Sequence, residues 1–144
     1  MRESDQFKAE FARALLACGD YYSGMRLVKE FVMKGLTNNQ YNNILLEGLA
    51  EGRFFQECLR LYHHISNQAK SNPSLCLYTH GYAAVVKSAC QLKRLHIAES
   101  LLKEIKQKNE IPLPSVYYEM CDVKIDLREI MNSCMRIEVI GRKN

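Results

Sequence analysis

The chain has 144 residues, 47% of them hydrophobic and 25% charged, with three prolines and seven glycines. That mix excludes intrinsic disorder, which needs low hydrophobicity and high net charge, and it excludes collagen-like or linker-like sequence. Twenty basic against sixteen acidic residues leave +4, a mild excess that permits an RNA or an acidic partner without demanding one.

The first segment, FKAEFARALLACGDYYSGMRLVKEFVMKGL, sets Phe7, Phe11, Ala14 and Leu15 before a polar turn and Met25, Leu27, Val28 and Phe31 after it. The three-to-four spacing on both sides predicts a helical hairpin over about 5–35. Asp20 is placed to cap its second helix, and Gly35 to end that helix in the left-handed conformation. Thr37 followed by Gln40 reads as a capping box. It opens a second hairpin over about 37–70, built on NNILLEGLAEGRFFQECLRLYHHI. Tyr21-Tyr22 and Phe54-Phe55 start the second helices of these two hairpins. Register sends Tyr21 and Phe55 inward and leaves Tyr22 and Phe54 as candidate anchors for a protein partner. The polar stretch SNQAKSNPS, with Pro73, predicts a longer loop. A third hairpin follows over about 78–110, with Leu95, Ala98, Leu101, Leu102 and Ile105 on one stripe. Pro112 and Pro114 break the chain, and SVYYEMCDVKI begins a fourth hairpin over about 115–135. Residues 1–135 thus read as one helical-repeat domain. In 136–144, Ile137, Val139 and Ile140 favour an extended tail, readable as the start of a further segment.

Small residues recur in register. Ala14, Gly48 and Ser88 fall in the first helices, and Gly24, Cys58 and Ala98 come ten positions later in the second. Small side chains let two helices approach closely. The expected fold class is all-α, an α-α superhelix made as a short solenoid of three to four helix-turn-helix hairpins.

The six cysteines are even in number, but no apolar secretory segment precedes them. They read as reduced packing residues, which implies an intracellular, reducing compartment, the cytoplasm or nucleus, with the mitochondrion left open. No apolar run approaches the ~20 residues of a membrane helix, so no membrane partner is expected. His63-His64 near Cys58, and Cys76 with His80, lack the paired spacing of a structural zinc site, so no metal is expected. Phosphate loops, nucleophile elbows and dinucleotide fingerprints do not occur in the sequence, so neither a cofactor nor catalysis is expected. Glu119, Asp122 and Asp126 read as a solvated acidic face.

The third segment, YAAVVKSACQLKRLHIAESLLKEIKQKNEIPLP, carries a Tyr, an apolar pair, a small residue, a small Ala in its second helix, a Leu-Leu face and a proline-containing exit. In this it resembles the pentatricopeptide-repeat family, and more loosely its tetratricopeptide relatives, over roughly residues 7–126. The resemblance implies a concave face lined by first helices. In the family that face commonly binds single-stranded RNA, about one base per repeat, through two positions. Carried over, those pairs are Ala9 with Asn38, Asn43 with Tyr78, and Ala83 with Leu113. Alanines cannot hydrogen-bond a base edge, and Tyr78 and Leu113 are not the family's acceptors, so the base code is eroded. RNA would then bind by backbone charge and stacking, with little base preference. Candidate RNA contacts are Lys8, Arg13, Asn43, Arg53, Tyr82, Lys87, Lys93 and Arg94, with Tyr41 and Tyr78 as further stacking groups. The leading expectation is a non-catalytic protein–protein interaction scaffold anchored through Tyr22 and Phe54, and the alternative is a single-stranded RNA-binding module. Self-association as a homodimer through an end hairpin is a third option.

Overall fold

The computed structural model describes the backbone of residues 2–143 and the side chains of residues 4–133. Among the described residues every element is a helix: α1 (Arg2–Ala17), α2 (Tyr21–Met33), α3 (Asn39–Glu51), α4 (Phe55–Ser71), α5 (Thr79–Gln91), α6 (Leu95–Gln107) and α7 (Pro114–Lys143).

One turn geometry closes all three helix pairs. Gly19, Arg53 and Lys93, which occupy equivalent places between the two helices of each pair, all have positive φ, at 88°, 66° and 60°. The next residues, Asp20, Phe54 and Arg94, donate their backbone N–H groups to the carbonyls of Leu15, Leu49 and Ala89 at 2.9, 2.8 and 2.9 Å. This is the left-handed helix ending that satisfies orphan carbonyls and reverses the chain. Three residues suffice to turn the chain, so α1–α2, α3–α4 and α5–α6 are tight hairpins.

The first helices form a continuous layer. α1 packs on α3, α3 on α5 and α5 on α7, while α2, α4 and α6 attach to the outside of that layer. Glycine allows the closest approaches. A Cβ on Gly48 would lie 2.8 Å from Arg13 Cα, and one on Gly52 would lie 2.1 Å from the Leu16 carbonyl oxygen. The core runs through the stack on Leu16, Leu45, Leu49, Leu59, Val85, Val86, Leu101 and Ile105, all buried. Contacts between neighbouring helices are compatible with a helical solenoid. The all-α class expected from periodicity is the fold observed.

Several local expectations change. Asn38, not Thr37, caps α3, its side chain accepting the Tyr41 N–H at 3.0 Å; Asp20 caps α2 as expected, accepting from Ser23 N. The stretch SNQAKSNPS is not all loop, because α4 continues to Ser71. The fourth unit is a single helix, and the 136–144 tail, expected extended, continues α7 through Lys143. β-branched residues favour strands only where a sheet receives them; among the described residues no strand offers such a partner. Pro114 sits at the first position of α7, where its missing N–H costs nothing. The cysteines divide: Cys58 and Cys90 are buried, but Cys18 and Cys121 are exposed, and all four are free thiols.

Candidate functional site

The candidate residues on the first helices do not assemble into a free basic track. Arg13 reaches from α1 to α3, placing Nη1 2.8 Å from Glu47 and Nη2 2.6 Å from Glu51. The Glu51 hydrogen bond, with the field of Glu47, raises the Arg13 pKa further, so this guanidinium is a fixed cation already neutralised by two carboxylates. Lys8 pairs with Glu30 at 3.7 Å, and Lys93 pairs with Asp126 of α7. Among the described residues no ion pair involves Arg53, Lys87 or Arg94. The Arg53 guanidinium lies 6.0 Å from the Phe55 ring. A groove of about 340 Å³ opens between the first helices, lined by Arg13, Glu47, Glu51, His80, Lys87 and Glu119. Three carboxylates against two cations make it a mixed-charge surface, poorly suited to a run of phosphates.

Two further candidates are structural. Asn43 is buried. Its Nδ2 donates to the Asn39 carbonyl at 2.7 Å and its Oδ1 accepts the Tyr78 N–H at 3.0 Å. It therefore clips α3 to the start of α5 instead of facing a ligand. Its neighbours act alike: Asn42 Nδ2 donates to the Leu36 carbonyl at 2.8 Å, and Asn39 Oδ1 accepts from Cys76 N at 3.1 Å. The run NNQYNN is thus a set of side-chain ties to the two adjoining loops. Tyr82 is 1% exposed and cannot stack on a base. Its hydroxyl accepts from Lys108 Nζ at 2.8 Å, Lys108 lies 3.7 Å from Glu104, and Glu104 accepts from the Tyr62 hydroxyl at 2.8 Å. The chain of contacts joins α4, α5 and α6. Burial pushes the Tyr82 phenol well up, helped by the fields of Glu104 and Glu110. Burial likewise raises Tyr62 to about 12, and both phenols stay protonated at neutral pH.

The aromatic pairs resolve differently from each other. Tyr22 is 84% exposed. Phe54 is not an exposed anchor: it is half-buried against the core and its ring lies 5.2 Å from that of Tyr21. Gly52 leaves room for it, since a Cβ there would stand 2.8 Å from Phe54 Cε2. Phe54, the last residue of the α3–α4 turn, is directed by the left-handed Arg53 back toward α2, a placement that helical register alone misses. Phe55, expected in the core, is only half-buried.

Outside the first-helix layer, α2 and α4 leave a groove of about 490 Å³ between them. Tyr21, Met25, Val28, Val32, Met33 and Leu61 form its apolar wall, and Lys29, Glu57, Arg60 and His64 stand at its polar edge. Sequence reading missed this groove, because it depends on how far the second helices splay. Its one advance signal was the surplus of apolar residues on α2, whose stripe continues past Val28 and Phe31 to Val32 and Met33.

Among the described residues no three His, Cys, Asp or Glu side chains group to hold a metal ion, and no helix is long and apolar enough to cross a membrane. No protein-family model matches the sequence, and no curated protein matches it.

Proposed function

We propose that the chain is a non-catalytic binding module, a protein-interaction scaffold whose partner seats in the groove between α2 and α4. The carrying observation is that groove: an apolar floor of Met25, Val28, Val32 and Leu61 with charged residues at the edge, the make-up of a surface that takes the apolar face of a partner helix. Met33, 87% exposed, and Tyr22 lie on the same helix and offer further apolar area.

The pentatricopeptide-like register keeps single-stranded RNA as the competing ligand. The ion pairs of Lys8, Arg13 and Lys93 and the burial of Asn43 and Tyr82 count against it, since phosphate binding needs several uncommitted cations.

A photo-cross-linking residue at Met33, installed in the full chain inside cells, tests the proposal. A discrete protein adduct that disappears in Met25→Asp supports it. Adducts to RNA, or none at Met33, overturn it. Fluorescence anisotropy with random single-stranded RNA provides the second arm: binding that collapses between low and physiological salt establishes the RNA module instead.

A further inference from the structure

The four first helices share a register that assigns each a rear face, turned to the preceding helix, and a front face, turned to the following one. Gly48 and Gly52 on the rear of α3 lie against Arg13 and Leu16 of α1, and Gly81 on the rear of α5 lies against Asn43 of α3. The equivalent positions on α7, Val116, Met120 and Val123, are buried as α7 packs on α5. On α1 the same positions are Phe7, Phe11, Ala14 and Cys18, and all four are exposed. Phe7 is 67% and Phe11 47% exposed, and their rings stack on each other 5.7 Å apart. This face has the form of an inter-helix seat that no helix of the structure occupies.

The front faces give the reciprocal result. Ala9, Ala12 and Leu16 on α1, Leu46 and Ala50 on α3, and Val86 and Cys90 on α5 are all buried. The matching residues on α7 are Tyr118, Cys121 and Ile125, and they are exposed, Tyr118 at 72% and Ile125 at 55%. One polar position runs down the same layer as Arg13, Glu47, Lys87 and Asp122, with the sign of charge alternating at each step. Its first step is a formed ion pair, Arg13 to Glu47 at 2.8 Å.

We propose that the rear face of α1 is the seat for α7 of a second copy of this chain, stacked head to tail. In that arrangement Tyr118, Cys121 and Ile125 meet Phe7, Phe11 and Ala14 as the front of α5 meets the rear of α7. Asp122 meets Arg13, which continues the charge alternation across the junction. The contact is heterologous, so it propagates beyond the dimer into an open stack or a ring. A single helix-on-helix contact is small, which puts it in the weak, concentration-dependent class. It uses faces distinct from the α2–α4 groove and stands or falls independently of that reading.

Sedimentation of the full chain over a concentration series reaching about 1 mM tests it. Wild type shows a weight-average mass that climbs with concentration past that of a dimer. Phe11→Asp, which blocks the rear face, and Ile125→Asp, which blocks the front face, are each monomeric alone. Mixed one to one they form a dimer and nothing larger, because one free seat and one free α7 remain. Asp122→Arg weakens association only about two- to fivefold, the effect of one exposed charge beside an Arg13 that Glu47 and Glu51 already neutralise. Circular dichroism verifies that each variant keeps its helices, with Phe7→Asp and Tyr118→Asp as replacements for any that does not. A wild type that stays monomeric to the highest concentration overturns the proposal and leaves the seat to a different helix. Loss of association in Phe11→Asp but not in Ile125→Asp also overturns it, in favour of a symmetric α1-to-α1 dimer. Failure of the mixture to pair overturns the head-to-tail geometry.

Discussion

Arg53 and Lys93 hold the left-handed conformation that Gly19 holds in the first hairpin. For a residue with a Cβ that conformation costs roughly 1–2 kcal/mol, a cost glycine does not carry. Arg53→Gly should therefore stabilise the chain by about 1 kcal/mol, and Gly19→Ala should destabilise it by a similar amount, both read from urea midpoints. Arg53 suits this test better than Lys93, whose ammonium also pairs with Asp126. Neither turn was legible in the sequence, because the usual marker is glycine and two of the three positions carry long cations. Asn43 is the second residue-scale case. Asn43→Ala removes both the bond to the Asn39 carbonyl and the acceptor for the Tyr78 N–H. Losing both bonds, with the Tyr78 N–H only part-buried, should cost about 1 kcal/mol, measured by chemical denaturation. A base-reading role for Asn43 would instead leave stability unchanged.

At the scale of elements, the close contact of α1 with α3 decides how the stack is built. Gly48→Ala gains helix propensity of about 1 kcal/mol. It also drives a Cβ to 2.8 Å from Arg13 Cα, where the obstacle is backbone and cannot rotate away. Overpacking of this kind costs about 1–3 kcal/mol and wins, so Gly48→Ala should lower the thermal midpoint in spite of its better propensity. The equivalent Ala14 has no helix against it and is exposed, so Ala14→Leu should be nearly neutral in the same melt. The small-residue pattern was legible in the sequence, but its meaning was not. Gly24 meets Leu16 and Cys58 meets Leu46 within their own hairpins, and Ala98 is buried, whereas Gly48 closes the gap to the preceding hairpin.

For the whole molecule, buried ionisable groups set the alkaline limit. Burial pushes the Cys58 thiol up to about 12, the Tyr62 phenol to about 12 and the Cys90 thiol to about 11. Each group is neutral when protonated, and its folded pKa lies above the unfolded one, so the unfolded chain gives up these protons first. Their contribution to stability is complete below about pH 9, declines as pH rises, and is gone above about pH 12. Urea midpoints should accordingly hold steady up to pH 8 and fall progressively at pH 10 and 11, with a shallower fall in Cys58→Ala. The same burial predicts two classes of thiol. A thiol reagent at pH 8 should modify Cys18 and Cys121 in the native protein and reach Cys58 and Cys90 only as the chain unfolds, as peptide mapping after timed labelling would show.

The all-helical class, the spans of the three hairpins and most of the core were legible in local spacing, since amphipathic periodicity and the Asp20 and Gly35 end signals act within a few residues of one another. It was equally legible that Tyr22 faces solvent and that Ala98, Leu101 and Ile105 face inward, both consequences of helical register. Which candidate groups were still available depended on the packing of helices against one another. Asn43 and Tyr82 find their partners 26 or more residues away, and Arg13 finds its carboxylates 34 and 38 positions on in the next hairpin. The ion pairs of Lys8, Arg13 and Lys93 neutralise half of the apparent basic track and leave Arg53, Lys87 and Arg94 outside any ion pair among the described residues. The splay of α2 from α4 opened an apolar groove, and the ends of the stack left uncovered the faces that are buried everywhere else. These outcomes depend on how helices pack against one another across the chain, and local sequence spacing carries no record of that distance.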